Sequence, residues 1–386
     1  MSARKRIAVI GAGLGGAAAA ALLQQRGCDV QVYDQAPSFG RLGAGIHLGP
    51  NVIKVLDRVG IADELCRTGV EPERWLSRAW DSGDTLFSLP LKGLSEERYG
   101  ARYLTVHRGD FHALLIQALA ADSLHYGKKL TGLRQSSDQA TMTFADGSTA
   151  EADLVIGADG LNSVVREALL GKEAPVYTGV VGHRVMIPAE RLGGEKIADF
   201  TKWWANDRHF IVYYITHSRD VVYVVTGAPQ PVWDSPASWV PCSKEEFRSV
   251  FTGFHPEVQK LIDLSPADGI TKWAFFERQP LPLWSQGRVV LLGDACHPMK
   301  PHMGQGAAMA IEDAAMLVRC LDDIGLDDHR AAFELYELNR KDRASRVQSE
   351  SHHNTWLRTD GDPSWVFGYD PYAEPLVRPA LAAAGT

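Results

Sequence analysis

Residues that could bind a ligand are concentrated between Arg288 and Ala314, where the chain reads RVVLLGDACHPMKPHMGQGAAMAIEDA. The apolar run from Val289 to Leu292 is typical of a buried parallel strand, and Gly293-Asp294 ends it with a turn and a carboxylate. Open α/β sheets bind ligands beyond the carboxyl ends of their strands. Apolar residues recur at helical spacing from Ala307 onward, so Gly304-Gln305-Gly306 is expected at a helix N-terminus with unpaired amide donors. One loop would then touch both a cofactor and a reactant.

The N-terminal region carries a nucleotide-binding pattern. A short apolar strand, the GxGxxG glycines, an Ala-rich helix and a second strand ending in Asp34 follow one another. The glycines are Gly11, Gly13 and Gly16, with Gly15 beside them. They are expected to allow a tight turn, the close approach of a pyrophosphate and close packing of helix on strand, and Asp34 would bind an adenosine ribose. FAD and NAD both bind in this way, so the choice between them stays open.

Two further segments carry polar side chains where predicted elements meet. Asp159-Gly160 closes an apolar strand, and Ser163 would cap the helix after it, so the segment serves either turn formation or cofactor binding. Arg108 precedes an amphipathic helix, where it would hold a phosphate or pair with a surface acid. The residues alone leave both alternatives open.

The elements that must position these residues are of two kinds. Apolar runs closed by Gly-Asp turns predict buried parallel strands, whereas apolar alternation between Tyr177 and Thr226 predicts an antiparallel sheet. The inward side chains of that sheet would cover a pocket. A chain of 386 residues exceeds the usual single core, so two intertwined domains are expected.

Composition excludes several classes of protein. The net charge of -7 and pI near 6.0, without a long Lys/Arg run, argue against a nucleic-acid partner. An apolar content of 45% and a mean hydropathy of -0.15 are those of an ordinary globular chain, so no membrane partner is expected. The five cysteines lie far apart without CxxC or zinc spacing, which predicts reduced thiols, a cytoplasmic location and no metal site.

In this order, the motifs resemble those of the single-component flavin-dependent aromatic hydroxylases, which include para-hydroxybenzoate and salicylate hydroxylases. The resemblance runs from Ile7 to about Arg346 and rests on GxGxxG, Asp159-Gly160, and Gly293-Asp294 with the loop after it. It implies an α/β fold in which a Rossmann-like FAD-binding domain is intertwined with a smaller antiparallel-sheet substrate domain. The implied FAD-binding domain comprises 1–72, 100–172 and 270–346, the substrate domain 73–99 and 173–269, and a C-terminal extension 347–386.

The resemblance also implies how the cofactors bind. FAD would occupy the N-terminal fingerprint, with Arg108 near its pyrophosphate and Asp294 on the ribityl chain. The backbone of Gly304, Gly306 and Ala307 would lie near the isoalloxazine, and Asp159 would serve both FAD and the nicotinamide cofactor. No second GxGxxG occurs, which fits a nicotinamide cofactor that docks transiently. A shortage of basic residues marking a 2'-phosphate site favours NADH over NADPH.

Within the family the chain is most similar to the members that act on 6-hydroxynicotinate. The expected reaction is NADH- and O2-dependent decarboxylative hydroxylation to 2,5-dihydroxypyridine through a flavin hydroperoxide, in a monomer or homodimer. Salicylate and other hydroxybenzoates remain alternative substrates, and an FAD-dependent reductase without oxygen activation is the alternative from another class. The residues that carry the closer resemblance are Gly43-Ala44-Gly45-Ile46-His47, Lys202-Trp203-Trp204, Asp207-Arg208-His209, Tyr213-Tyr214 and Lys300-Pro301-His302-Met303.

The implied reaction requires a base near the ring hydroxyl and donors for the carboxylate. Histidine titrates near neutrality and a phenol can relay a proton. We therefore assign His47 and Tyr213 to the hydroxyl end, and His302 and His209 to polar contacts with the ring or carboxylate. A structural role is the alternative at each position, and it is the preferred one at His297.

Overall fold

The computed structural model describes residues 5–41 and 43–379, so the two ends of the predicted domain scheme, 1–4 and 380–386, lie outside the described residues. The strands are β1 (Arg6–Ile10), β2 (Asp29–Tyr33), β3 (Gly45–Leu48), β4 (Arg74–Ala79), β5 (Thr85–Pro90), β6 (Leu104–His107), β7 (Leu124–His125), β8 (Leu130–Gln135), β9 (Ala140–Phe144), β10 (Thr149–Ala152), β11 (Leu154–Gly157), β12 (Val176–Pro188), β13 (Phe200–Trp204), β14 (His209–Tyr214), β15 (Val221–Pro229), β16 (Trp239–Pro241), β17 (Thr271–Glu277), β18 (Ser285–Gln286) and β19 (Val289–Leu291). The helices are α1 (Leu14–Gln25), α2 (Pro50–Val59), α3 (Ala62–Thr68), α4 (Leu94–Tyr99), α5 (Arg108–Gln117), α6 (Val164–Leu170), α7 (Lys244–Val250), α8 (Pro256–Leu264), α9 (Gly306–Ile324), α10 (His329–His353) and α11 (Ser364–Phe367).

A six-stranded sheet forms the cofactor side of the molecule, in the order β18-β19-β11-β1-β2-β7. Its strands are parallel except for the edge strand β18. Strands β1, β11 and β19 are apolar and almost wholly buried, as expected for parallel strands covered on both faces. The small side chains of α1 allow this helix to pack against α9, since a Cβ added at Gly15 would lie only 2.8 Å from Cβ of Ala310.

An eight-stranded sheet forms the other side, in the order β16-β17-β12-β15-β14-β13-β4-β5. All neighbouring pairs are antiparallel except β13 with β4. On β14 the alternation of a strand sends His209, Ile211 and Tyr213 toward the six-stranded sheet. Phe210, between them, packs in a second core with α7 and α8. The predicted pairing of a parallel and an antiparallel sheet is therefore present.

The predicted division into domains remains a proposal, and two of its boundaries disagree with the elements around them. Strand Thr271–Glu277 pairs into the eight-stranded sheet, although the predicted boundary at 270 assigned it to the cofactor domain. Helix His329–His353 crosses the predicted start of the C-terminal extension at 347. We propose moving these boundaries to the ends of the two elements. Among the described helices, none is both long and apolar enough to cross a membrane.

Candidate active site

A cavity of about 470 Å³ lies between the two sheets. Its walls combine the glycine-rich turn, the β19 turn and the start of α9 with the inward face of the eight-stranded sheet. Residues of the N-terminal glycine-rich motif and of the segment that follows β19 therefore line the same cavity. The predicted site residues in its wall are Gly13, Gly15, Gly16, His47, Arg108, His209, Tyr213, Asp294, Gly304, Gly306 and Ala307.

The glycine-rich turn has the backbone that its sequence predicts. Gly11 has φ 102°, and a Cβ there would overlap the carbonyl of Ala158. A Cβ at Gly16 would overlap the carbonyl of Gly11, which explains the close packing of α1 on β1. Gly13 has no atom within 4 Å of such a Cβ and caps α1, so its backbone is open to a ligand at the helix N-terminus.

Asp34 and Asp159 both bind backbone amides, but with different partners. The Asp34 carboxylate accepts hydrogen bonds from the amides of Ala12 (2.7 Å) and Ala36 (2.8 Å), so it shapes the glycine-rich turn and retains further acceptor capacity. The Asp159 carboxylate accepts hydrogen bonds from the Ser163 hydroxyl (2.5 Å) and from two amides at the start of α6. Turn and cap formation thus accounts for Asp159, and its cofactor contact stays a prediction.

Arg108 and Asp294 bring opposite charges to the cavity wall. The Arg108 guanidinium forms no ion pair or hydrogen bond with any residue in the described part of the chain. Burial lowers the pKa of Arg108, as does the nearby Arg184. Burial among protein atoms raises the pKa of Asp294, and His297 and Arg108 oppose this rise. The Asp294 carboxylate is nevertheless accessible through the cavity that it lines. An acceptor and an uncommitted cation are thus available to a ligand.

The start of α9 forms the floor of the cavity. Gly304 has φ 65°, and a Cβ there would overlap the imidazole of His47. The Gln305 side chain accepts a hydrogen bond from Asn51 and does not cap the helix, so no side-chain cap occupies the first amides of α9 where Gly306 and Ala307 line the cavity. The positive end of the helix dipole adds to their attraction for electron-rich ligand atoms.

A buried ionic network fixes this floor to the β19 turn. Asp313 accepts hydrogen bonds from the Gly293 amide (3.0 Å), the His297 Nε2–H (2.6 Å) and the Arg340 Nε–H (2.7 Å). Glu312 binds Arg340 and Asn51 at 2.7 Å each. His297 therefore serves this network, as its structural interpretation predicted. Acidic residues inside an apolar helix were the sequence signal for the network, which the motif analysis missed.

His47 lies on β3 within an aromatic cage. Its Nδ1 is 2.7 Å from the hydroxyl of Tyr103, and its ring meets those of Trp75, Phe200 and Tyr213 at 5.6 to 6.3 Å between centroids. Burial, and then Lys202, lower the pKa of His47 to about 4. The imidazole is therefore neutral at pH 7 and able to accept a proton. Its Nε2 side faces Gly304 at the cavity floor.

Tyr213 is the inward tyrosine of the Tyr213-Tyr214 pair. Its ring stacks on Phe200 at 5.1 Å and meets Tyr223 edge to face at 5.5 Å. Burial, and next the neighbouring Tyr223, raise the pKa of Tyr213 well above its ordinary value. The phenol therefore stays protonated at neutral pH and can donate a hydrogen bond into the cavity that it lines.

His302 and His209 meet at right angles, with 5.3 Å between ring centroids. His302 Nδ1 lies 2.9 Å from the carbonyl of Ser351, and a carbonyl only accepts, so this nitrogen carries the proton and Nε2 has the lone pair. Burial, and then Lys202, lower the pKa of His302 to about 3. His209 lines the cavity, and His302 packs beside it between Pro301 and Gly304, which also line the cavity.

Lys202 belongs to the Lys202-Trp203-Trp204 segment, whose sequence did not predict where the lysine lies. It is fully buried on β13, and its Nζ donates to the His302 carbonyl (3.2 Å) and to Asn354 Oδ1 (3.0 Å). It also lies 3.7 Å from the centre of the Trp204 ring. Burial lowers the pKa of Lys202 well below its ordinary value, and Lys202 in turn lowers the pKa of His47, His209 and His302. A lysine within an apolar strand was the only sequence signal.

Asn354 determines the hydrogen-bond direction at His209. Because Lys202 Nζ donates to Asn354 Oδ1, Asn354 Nδ2 is left to donate to His209 Nδ1 at 3.2 Å. Neutral His209 then carries its proton on Nε2. Asn354 follows α10 and has φ 50°, a left-handed conformation that asparagine tolerates.

Arg184 was also missed by the sequence analysis. It lies on β12, lines the cavity and stacks on Trp273 at 4.3 Å from the ring centre. Its Nε is buried without a hydrogen-bond partner among the described residues. A second uncommitted guanidinium therefore stands near Arg108. The alternation of β12 could place it inward, but not identify its neighbours.

Comparisons with known proteins agree with the architecture of two sheets and a cavity between them. Residues 4–351 match the family described as FAD binding domain. The chain belongs to the FAD-dependent aromatic hydroxylases, a family of monooxygenases, and FAD as its cofactor is confirmed.

Two curated relatives match the chain over its full length. The chain is 58% identical over 385 residues to the 6-hydroxynicotinate 3-monooxygenase of Bordetella bronchiseptica, and 56% identical over 386 residues to the protein of that name from Pseudomonas fluorescens. Both alignments cover 100% of each chain.

Two solved structures share the fold. A salicylate hydroxylase in a substrate complex has a TM-score of 0.83 at 26% identity, covering 99% of this chain and 100% of that one. HpxO of Klebsiella pneumoniae, complexed with FAD and uric acid, has a TM-score of 0.81 at 28% identity, covering 93% and 90%. The predicted fold class is confirmed.

Proposed function

We propose that the protein catalyses the NADH- and O2-dependent decarboxylative hydroxylation of 6-hydroxynicotinate to 2,5-dihydroxypyridine. The observation that carries the proposal is a cavity that joins an FAD-type cradle to neutral imidazoles and protonated phenols. The full-length relatives at 58% and 56% identity, which are named for this reaction, support the choice of substrate. The four thiols of Cys66, Cys242, Cys296 and Cys320, none in a disulfide, support the expected cytoplasmic location.

The chain offers FAD a coherent set of contacts. Gly13 and the start of α1 would hold the pyrophosphate with Arg108, and Asp294 would accept hydrogen bonds from the ribityl chain. The amides of Gly306 and Ala307 would lie under the ring system. The uncrowded backbone of Gly13 and the lack of an acidic hydrogen-bond partner for Arg108 among the described residues are the structural reasons for this fit. Reduced FAD supplies an electrophilic oxygen atom derived from O2.

His47 is our candidate base for the ring hydroxyl. A 6-hydroxynicotinate whose hydroxyl is ionised is richer in electrons at the carbon that bears the carboxylate, which is where oxygen must arrive. Neutral His47 can take that proton on Nε2 while its Nδ1–H donates to Tyr103 at 2.7 Å. Tyr213, held protonated by burial, would donate to the same oxygen or to the ring. Attack of the carboxylate-bearing carbon on the electrophilic oxygen, followed by loss of carbon dioxide, gives 2,5-dihydroxypyridine.

The opposite end of the substrate carries a negative charge. Uncommitted Arg184 and the Nε2–H of His209 are donors available in the cavity wall, and buried Lys202 adds positive potential behind it. No described acidic side chain pairs with Lys202 or Arg184. We propose that these groups bind the carboxylate, with His302 positioning His209.

The decisive experiment compares three substrates with the purified FAD-bound protein. 6-Hydroxynicotinate, salicylate and para-hydroxybenzoate are each tested for stimulated NADH oxidation, oxygen uptake and hydroxylated product under labelled dioxygen. The proposal expects label in 2,5-dihydroxypyridine with 6-hydroxynicotinate alone. Label in a product of either benzoate would establish the alternative hydroxylase, and NADH oxidation without incorporated label would establish a reductase.

A further inference from the structure

A second group of ligand-type side chains lies outside the cavity, on the opposite face of β12. Arg184 points into the cavity, so its neighbour His183 points to the other side, toward α7. There, ligand atoms of His183, Cys242 and Glu246 all lie within 4.8 Å of one another. We propose that these three residues form a binding site for a soft or borderline divalent cation, with zinc as the natural occupant.

The histidine is arranged as a metal-binding histidine would be. His183 is fully buried, and its Nε2 has no hydrogen-bond partner among the described residues. Its Nδ1 lies 3.1 Å from the Thr226 hydroxyl, whose oxygen already accepts the amide of His183 at 2.9 Å. Donation from Nδ1–H to this oxygen leaves the lone pair on Nε2, and metal-ligating histidines generally have such a partner on the other nitrogen. A buried nitrogen without a partner destabilises the folded state, and a bond to a metal would relieve this.

The other two groups complete a donor set that suits zinc. Imidazole nitrogen, thiolate sulfur and carboxylate oxygen are its usual ligands, with three protein ligands and water in sites that keep an open position. Cys242 is buried just before α7, and its thiol lies 3.4 Å from the Ser243 carbonyl and also hydrogen-bonds with the Glu246 carboxylate. Glu246 lies on α7 with its side chain 43% exposed, so a cation can enter from solvent. Binding replaces the thiol proton by a metal–sulfur bond and releases that proton.

Lys272 is the competitor of the cation. It is the register partner of His183 on β17, and its Nζ lies 2.6 Å from Glu246 Oε1. A bound cation must displace this ammonium from the carboxylate. Removing the native ion pair between Lys272 and Glu246 should therefore increase the affinity for the metal.

The experiment uses the full-length FAD-bound protein after treatment with a chelator. Co2+ is added and the thiolate-to-cobalt charge-transfer absorption is recorded as a difference spectrum, and Zn2+ binding is measured by calorimetry. One saturable site is expected, with cobalt–thiolate absorption. Outer-shell substitutions at metal sites already cost about 10-fold in affinity, so Cys242→Ser should cost at least that and abolish the absorption. Cys66→Ser, which removes a half-buried thiol on α3, should bind as the parent does.

Lys272→Met is the second variant, and it should bind Zn2+ at least as tightly as the parent protein and with a larger exothermic signal. Absence of saturable binding in both the parent and Lys272→Met would overturn the proposal. An unchanged cobalt spectrum in Cys242→Ser would also overturn it, since another thiol would then be the ligand. Circular dichroism and FAD content are compared first, so that a misfolded variant is recognised.

Discussion

The hydroxyl of Tyr103 lies 2.7 Å from Nδ1 of His47, and both groups are surrounded by aromatic rings. This contact sets which imidazole nitrogen can take a proton from the cavity. Since Tyr103 comes from the segment just before β6 and His47 from β3, the antiparallel pairing of β3 with β6 brings the two residues together.

Tyr103→Phe should lower kcat for hydroxylation by roughly 10- to 100-fold, because general acid–base catalysis contributes about 100-fold or more. The acidic limb of the kcat profile should move as well, which loss of packing alone would not cause. Tyr99→Phe is the matched control, since its hydroxyl binds Ser364 away from the cavity. Equal pH profiles for the two variants would refute the role of the Tyr103 hydroxyl in proton transfer by His47.

His47→Gln and Tyr213→Phe test the hydroxyl end of the substrate. Each should reduce product formation by roughly 100-fold if it acts in proton transfer, with a smaller effect on NADH oxidation. Steady-state oxygen uptake and product are measured together, so that uncoupled oxidation is visible. If both variants keep the rates and pH profiles of the parent protein, neither residue has an acid–base role.

Gly304→Ala should impair catalysis because its methyl group would overlap the His47 imidazole. Strain at a positive φ must be separated from this overlap. Gly127→Ala offers the same strain, with φ 70°, but has no atom within 4 Å of the added Cβ. A fall in kcat of roughly tenfold or more is expected for Gly304→Ala alone, and equal losses in the two variants would point to strain.

Arg340→Met should destabilise the fold by about 3 kcal/mol, because the buried carboxylates of Glu312 and Asp313 lose the cation that they share. Urea unfolding measures the change. The exposed pair of Arg67 with Glu64 provides the control, since Arg67→Met should leave the free energy of unfolding nearly unchanged. A loss of similar size in both variants would contradict the assignment of the network as an anchor of the cavity floor.

Stability should fall as the pH drops below about 6.5. The pKa of His47 is lowered from 6.5 to about 4 in the folded state, and that of His302 to about 3. Between pH 6.5 and the lowered pKa of each histidine, the unfolded chain binds more protons than the folded chain. Each histidine therefore lowers the free energy of unfolding by up to about 1.4 kcal/mol for every unit by which the pH falls. Urea unfolding at pH 7, 6 and 5 measures the slope, and His302→Gln should reduce it. A slope unchanged by that substitution would refute the contribution of His302.

The sequence predicted best where a local pattern determines the backbone. Gly11, Gly16 and Asp34 act through neighbours in one strand–turn–helix unit, so their spacing was sufficient. Strand alternation placed one of Tyr213 and Tyr214 inward, and the structure selects Tyr213. Asp159 shows the opposite case, because the same residue type serves a cap or a cofactor and the pattern does not separate the two uses.

Residues brought together by distant chain segments could not be predicted in this way. Lys202 and Asn354 are separated by 152 positions, and their contact depends on how β13 lies against the end of α10. Arg184 was hidden for a similar reason, since its neighbours come from other strands and from the cofactor side. Such contacts depend on packing of the whole chain.

The single amide of Asn354 connects the Lys202 amine to the His209 imidazole, and so fixes the direction of that chain of hydrogen bonds. Deamidation to aspartate would leave two acceptors in its place. His209 would then have to turn its proton from Nε2 to Nδ1, and the cavity would lose a donor while gaining a lone pair. One spontaneous chemical change at the end of α10 would thus remove the donor that His209 offers to an anion and leave that task to Arg184.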